Sequence, residues 1–394
     1  MPALPPKITV DLAKDVYVLS TLSTSQQALA EVKRLYGDLF AVNEQNLLKA
    51  KTGGPGILKC QTAFGLVLSG NGVFKGHYFL VFRGTAYLAD MLTDLNATVT
   101  RASCGELVHD GFNKTFNSLK PQVLSFINSI PKQNIKSIHC IGHSLGGAVA
   151  TLCAQWLAQA FGHTSYLYTY GCPRVGLHGF SRKCTSSLKP EKIFRVYHRT
   201  DPIPAVPTWP YYHTPLSGVD YYLSSPGLFF NPQFHRISHY VDSLQEIGDS
   251  WKLLQAHKKE VRSEASIVKW LEGESIISLS LKTLELLADA LSFVLRKSLI
   301  GFCQVADGVF TNHSTLADKI AYILTKSIEI GAHVSNWVLC LIQKMVYLLG
   351  HPQKIDKTML TRDYIRNVFM RLQQRLNAYA REALSQALVQ GRAI

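Results

Sequence analysis

One stretch constrains this chain more than any other: Ser137-Ile-His-Cys-Ile-Gly142-His143-Ser144-Leu145-Gly146-Gly147-Ala-Val-Ala-Thr-Leu152. It reads as an apolar strand, a Gly-x-Ser-x-Gly turn and an Ala-rich helix, in that order. A sharp strand-to-helix turn brings two backbones close together, and Gly142 and Gly146 offer positions without a Cβ there. Ser144 then stands at the tip of the turn, at the N-terminus of the helix, where the helix dipole favours developing negative charge. A Gly-rich turn with a solvated serine is the plain alternative. The flanking strand and helix make the motif specific, because the turn mechanically requires them.

A serine hydroxyl is a weak nucleophile at neutral pH and needs a histidine base, itself oriented by a carboxylate. In hydrolases built around such a turn the partners follow in the order Ser, then Asp or Glu, then His. The run Ile193-Phe-Arg-Val-Tyr-His-Arg-Thr-Asp201-Pro-Ile-Pro204 ends a strand and enters a Pro-rich turn. Asp201 therefore lies just past a strand end, where a sheet presents side chains to its functional edge. An ordinary turn-initiating Asp-Pro is the other reading of it. The histidines that follow are His213, His235, His239, His257, His313, His333 and His351. The last four fall in a region of different character. His235 leads, since there a loop containing Pro226-Gly227 and Asn231-Pro232 gives way to an apolar-periodic helix. His239 and His213 stay as rivals, although His213 follows Tyr211-Tyr212 and reads more naturally as a packed residue.

Up to about residue 245 short apolar runs (Phe64–Leu68, Tyr78–Phe82, Ile135–Ile141, Tyr166–Tyr170, Ile193–Tyr197) alternate with helical patterns (Gln26–Tyr36, Phe116–Ile130, Ala148–Ala160). Strands separated by helices imply parallel crossovers and an α/β layered sheet. From about Gly248 strand signals nearly vanish, and Ile276–Leu299, Leu316–Leu349 and Ile365–Leu388 show the three- and four-residue spacing of amphipathic helices. A chain of 394 residues has room for a large catalytic domain and an appendage. The expected division is residues 1–250 and 251–394. Gly331–Gly350 is apolar enough to raise the membrane question, but His333, Asn336, Gln343 and Lys344 favour a buried or interfacial helix over a spanning one.

The blocks Phe82-Arg-Gly-Thr85, Asp90-Met-Leu-Thr-Asp94-Leu95, Val108-His-Asp-Gly-Phe112, Gly142–Gly147, Tyr170-Gly-Cys-Pro-Arg-Val-Gly176 and Arg195–Pro204 occur in one order across residues 60–245. With them the chain resembles the class 3 lipases, the fungal-lipase-like α/β-hydrolases. The resemblance implies an α/β-hydrolase fold with a lid, followed here by a C-terminal all-helical region. It also implies an acyl-ester hydrolase with Ser144 as nucleophile, Asp201 as orienting carboxylate and a histidine base. His235 matches the family's histidine block through Tyr240 and Leu244, although Phe234 stands where that family often has an acidic residue. Carried over from the family, Thr85 contributes to the oxyanion hole beside the backbone N–H of Leu145; Gly142, His143 and Gly146 frame the elbow. Residues Ala86–Leu95 would be the lid, with Tyr87, Leu88, Met91 and Leu92 on an apolar face offered to lipid. An ordinary buried helix is the bland reading of that segment.

Charge bears on the substrate. With 41 Lys+Arg against 27 Asp+Glu the formal net charge is +14, which suits anionic surfaces. No RNP-like, helix-turn-helix or zinc-finger pattern accompanies it, so no nucleic-acid partner is expected. The expected substrate is a lipid ester at a membrane or micelle surface, with phospholipid favoured over triacylglycerol. A small-ester esterase and a catalytically silent lipid- or protein-binding module are the alternatives. Arg362, Arg366, Arg371, Arg375 and Arg381 beside the apolar stripe of Ile365, Val368, Phe369, Leu372, Leu376 and Tyr379 suit either attachment to anionic lipid or a bundle helix with a basic face. No Sec-type signal is read at the N-terminus, and the eight cysteines show neither CxxC nor zinc spacing, so synthesis in a reducing compartment, no metal and no cofactor are expected. Among bacterial members of the family are lipase effectors of the type VI secretion kind. An effector would be exported by a specialised route and bring a dedicated immunity protein as partner; a plain intracellular lipase fits the N-terminus equally.

Overall fold

The structure, a computed structural model, describes residues 3–22, 24–42, 46–52, 60–85, 99–227, 229–258, 262–274, 277–300, 316–329, 331–351 and 353–391. Its strands in chain order are β1 (Phe40–Ala41), β2 (Leu47–Thr52), β3 (Cys60–Gly70), β4 (His77–Phe82), β5 (Val99–Arg101), β6 (Leu107–His109), β7 (Ser137–His143), β8 (Ser165–Tyr170), β9 (Gly176–Leu177), β10 (Ile193–His198), β11 (Tyr211–Tyr212), β12 (Val219–Leu223) and β13 (Gln255–Lys258). The large sheet runs β1-β3-β4-β7-β8-β10-β12-β13, with β2 also on β3; a small one runs β11-β9-β6-β5. From β4 to β12 the large sheet is parallel, and antiparallel pairing with β3 and β13 closes that stretch on either side.

Central parallel strands need cover on both faces, so their sequences are apolar almost without interruption. Every residue of β7 and β10 is buried. Helices Leu145–Phe161 and Pro6–Asp15 both pack on β4, β7 and β8. Leu145–Phe161 is buried on all sides from Leu145 to Leu157, and it ends at Gly162 with φ +66°. Pro6–Asp15 starts with proline at its first position, where the missing N–H costs nothing, and buries Thr9, Val10, Leu12 and Ala13. Side chains tie it to the sheet: Thr9 Oγ1 lies 2.6 Å from the Tyr170 hydroxyl, and Leu4 N–H donates to the Tyr168 hydroxyl at 2.9 Å. The result is an α/β-hydrolase fold in which the N-terminal helix is part of the sheet's cover.

The chain forms two compact units, residues 1–226, 231–259 and 380–394 in one, and residues 227–230 and 260–379 in the other. Among the described residues the second unit is helical, with Glu264–Glu272, Leu281–Ile300, Leu316–Ser327 and Ala332–Leu348. The single long pattern read over Leu316–Leu349 is two helices, separated before Gly331, whose φ of 170° is extended backbone. Lys344, the charge inside the apolar segment, donates from Nζ to the carbonyl of Gly273 and lies 5.3 Å over the Trp270 ring. No helix among the described residues is long and apolar enough to cross a membrane. Of the cationic side chains on Arg362–Gly391, Arg366 pairs with Asp318, Arg362 lies over the Tyr322 ring, and Arg375 donates to the Leu348 carbonyl. Arg371 and Arg381 are exposed.

Buried imidazoles make the fold acid-sensitive. His139 packs under Phe79 and Tyr166, within hydrogen-bond reach of Ser137 Oγ at 3.0 Å and His77 Nδ1 at 3.1 Å. Burial first, and His77 second, push its pKa down to about 3; burial brings His198 down to about 4. In the unfolded chain both regain an ordinary value near 6.5, so below that pH the unfolded state binds protons the folded state refuses. Stability is therefore expected to be complete above pH ~6.5 and to fall as pH drops toward 4, by about 1.4 kcal/mol per pH unit for each of the two. Thermal melts from pH 7 to pH 4 check this, and His139→Gln should flatten the profile.

Candidate active site

The sheet delivers three side chains to one point. β7 ends at His143, and Ser144 takes φ 57° and ψ −128°, a conformation a non-glycine residue holds at a cost on the order of 1–3 kcal/mol. Its backbone is held in place: Ser144 N–H donates to the Tyr170 carbonyl at 3.0 Å, while the Ser144 carbonyl accepts from Gly147 N–H at 3.0 Å. At the elbow's crossing point a Cβ on Gly146 would overlap the Phe82 carbonyl, and one on Gly142 would overlap the backbone of Gly146. Packing, not turn preference alone, demands glycine at both ends of the motif.

His235 closes the short 3-10 turn Pro232–His235 and points at the serine: its Nε2 is 2.9 Å from Ser144 Oγ. Its Nδ1 is 2.9 Å from Asp201 Oδ2. A carboxylate can only accept, so Nδ1 carries the proton and Nε2 offers its lone pair to the serine O–H. Asp201 lies past the end of β10, and Ile203 N–H donates to its other oxygen at 2.8 Å. The Tyr240 hydroxyl donates to Asp201 Oδ2 at 2.7 Å and accepts from His198 N–H at 3.2 Å. Burial and the neighbouring Asp201 charge drive the Tyr240 pKa upward, which keeps that phenol a donor. Ser144, Asp201 and His235 are all buried.

The rival histidines lie elsewhere. His239 stacks on Phe234 at 5.1 Å between ring centres, and His213 Nε2 accepts from Arg195 at 3.0 Å and Arg174 at 3.3 Å. Phe234, the departure from the family pattern, packs between His198 and His239. Gly171, which sequence reasoning passed over, lies against the three groups: at φ +54° it leaves room where a Cβ would come within 2.7 Å of Asp201 Oδ2 and 3.0 Å of His235 Nδ1.

Of the oxyanion candidates, Leu145 comes from the same turn and Thr85 from the segment after β4. Leu145 is the first residue of its helix, where N–H groups have no intrahelical acceptor. Thr85 follows β4, and its Oγ1 is buried with no hydrogen-bond partner among the described residues. Arg83 braces this segment, donating to the carbonyls of Ala63 and Gly84. With no acceptor among the described residues, that hydroxyl fits a donor to charge that arises only during reaction. Thr85→Ala is expected to lower kcat about 100- to 1000-fold with little change in melting temperature, and Thr85→Ser to restore most of it. The lid residues Tyr87, Leu88, Met91 and Leu92 lie outside the described residues. Cys104, Cys140, Cys153, Cys172, Cys184 and Cys340 carry free thiols, and among the described residues no group of three or more His, Cys, Asp or Glu is placed to hold a metal ion.

Residues 79–211 match the model of the class 3 lipase family. Over that span, about a third of its length, the chain is similar to the class 3 lipases. The matched span holds Ser144, Asp201 and Thr85, while His235 lies beyond it. Similar proteins include a secreted mono- and diacylglycerol lipase 1 of Fusarium solani, 37% identical over 29% of this chain and 33% of its own length. Toxin TseL of Vibrio cholerae is 33% identical over 30% of this chain and 18% of its length. The chloroplastic phospholipase A(1) DAD1 of Arabidopsis thaliana is 28% identical over 32% of each. The chain thus spans a third or less of the length of these three relatives.

Proposed function

We propose that this protein hydrolyses carboxylic esters of lipids by an acyl-enzyme mechanism at Ser144. The observation that carries the proposal is the unbroken chain from Asp201 through His235 to Ser144, each link 2.9 Å long. His235 Nε2 takes the serine proton as Oγ bonds to the ester carbonyl carbon; the carbonyl oxygen becomes an oxyanion facing Thr85 and Leu145 N–H. As the intermediate collapses the C–O bond to the alcohol breaks, and His235 returns its proton to the leaving oxygen. Water, deprotonated by the same imidazole, then attacks the acyl-serine; the bond from the acyl carbon to Oγ breaks as His235 returns the proton to Oγ, and free fatty acid leaves. Asp201 keeps the imidazole in the tautomer this needs and stabilises its cation.

For the substrate we favour phospholipid over neutral acylglycerol. The net charge of +14 supports a negatively charged interface, and a phospholipase A(1) is among the similar proteins, as is an acylglycerol lipase. Mass spectrometry of products from vesicles of mixed phosphatidylglycerol and phosphatidylcholine carrying trioleoylglycerol tests both levels. The reading expects lysophospholipid and fatty acid from wild type and neither from Ser144→Ala. Fatty acid from trioleoylglycerol alone would move the substrate to neutral lipid; equal release by the variant would overturn the serine mechanism.

The similarity to a protein named as a toxin favours one extension, a role as an effector with a cognate immunity protein. Directed to the periplasm of a bacterial host, wild type should arrest growth and Ser144→Ala should not. Normal growth with active enzyme present would argue for an intracellular lipase.

A further inference from the structure

His143, the residue before the nucleophile, is fully enclosed, and both its ring nitrogens are engaged. Nε2 lies 2.8 Å from the backbone carbonyl of His235, and Nδ1 lies 2.7 Å from the hydroxyl of Tyr17. That hydroxyl also receives Gly84 N–H at 3.1 Å. The proton positions follow by elimination. A carbonyl only accepts, so Nε2 of His143 carries hydrogen and Nδ1 is a bare lone pair. Gly84 N–H fills a lone pair of the Tyr17 oxygen, so the single phenolic proton goes to Nδ1. Gly84 N–H to Tyr17 O–H to His143 to the His235 carbonyl is one directed chain with one consistent set of protons, and such chains strengthen link by link where the surroundings have a low dielectric.

Its two ends matter. Gly84 adjoins Thr85, and the His235 carbonyl belongs to the residue whose imidazole reaches Ser144. Tyr17 comes from the turn between helices Pro6–Asp15 and Val18–Thr21, over a hundred residues from the elbow and outside the span shared with the lipase family. We propose that Tyr17 is a positioning residue: through His143 it holds the Gly84–Thr85 segment and the His235 loop in register around Ser144. The proposal rests on the reading of Ser144 as nucleophile and goes beyond it, making the N-terminal segment a working part of the site. Burial keeps both groups in the forms the chain needs, the phenol protonated and the imidazole neutral.

Tyr17→Phe keeps the ring and removes both hydrogen bonds. On a soluble short-chain p-nitrophenyl ester, kcat per Ser144 titrated with a fluorophosphonate is expected to fall about 10- to 100-fold, with KM within twofold, since small misplacements of reacting groups cost rate rather than binding. The rate of fluorophosphonate labelling should fall by a like factor. In a cycle with His143→Ala, the double variant should be no slower than His143→Ala alone, because both act through one chain. Normalising to titrated sites removes any loss of folded protein. If Tyr17→Phe keeps kcat per site within twofold of wild type, or the two losses multiply, the proposal is wrong. A wild type that neither labels nor turns over would instead overturn the reading beneath it.

Discussion

Ser144→Ala is expected to abolish turnover, lowering kcat by about 10⁵- to 10⁶-fold while leaving the melting temperature unchanged or slightly raised. The size follows from losing covalent catalysis as a whole: without Oγ, His235 has no proton to take, and only the oxyanion donors and binding remain, which are worth roughly 10³- to 10⁴-fold over water. The stability effect follows from geometry. Alanine at φ 57° is no more strained than serine, and the lost hydroxyl leaves His235 Nε2 beside a space that water can fill. His235→Ala should cost about as much, and Ser144→Ala with His235→Ala little more than either, because residues that act as one unit do not add. Initial rates on a phospholipid emulsion, followed by fatty-acid titration, check all three. An enzyme whose double variant is far slower than either single one would have a second base.

Asp201→Asn is expected to cost about 10⁴-fold in kcat with the fold intact. Asparagine keeps the shape and its oxygen can still accept from Ile203 N–H, but its NH₂ group then stands where Oδ2 faced both Nδ1 and the Tyr240 hydroxyl, which favours the opposite tautomer, with hydrogen on Nε2 where the serine needs a lone pair. Asp201→Ala should be harsher on stability, since it strands the buried Tyr240 hydroxyl and Ile203 N–H together. Near-neutral activity of Asp201→Asn would mean that another group orients the base. A matched pair of kcat and melting temperature for both variants separates tautomer from packing.

Some of this site was legible from residue order because each residue has a local reason to be where it is. Ser144 needs glycines around it, Asp201 ends a strand, and His235 sits where a loop becomes a helix. What could not be read lies in contacts between distant segments. Tyr240 entered the sequence reading only as a spacing marker, since a tyrosine on the buried face of an amphipathic helix reads as core; its hydroxyl reaches Asp201 from helix Ile237–Ile247, which packs on Pro6–Asp15. Tyr17 is less visible still, because 126 positions separate it from His143.

In the fold, long apolar runs became the central strands, and the short strands β5, β6, β9 and β11 escaped because two or three residues cannot show alternation. Helix Asp110–Asn128 begins earlier than the apolar pattern at Phe116 suggests, for Gly111, Asn113 and Lys114 interrupt that pattern, and the helix opens with Asp110, which suits an N-terminus. The break before Gly331 inside one apolar pattern shows the converse, that periodicity can continue across two helices.

The most direct test is peptide-mapped mass spectrometry of the intact chain after a timed exposure to a fluorophosphonate, with wild type, His235→Ala and His239→Ala side by side. Activation of one hydroxyl by one imidazole predicts a single adduct on the peptide carrying Ser144, formed at equal rates in wild type and His239→Ala and at least 100-fold slower in His235→Ala. An adduct on another serine, or labelling of Ser144 indifferent to the loss of His235, would contradict it.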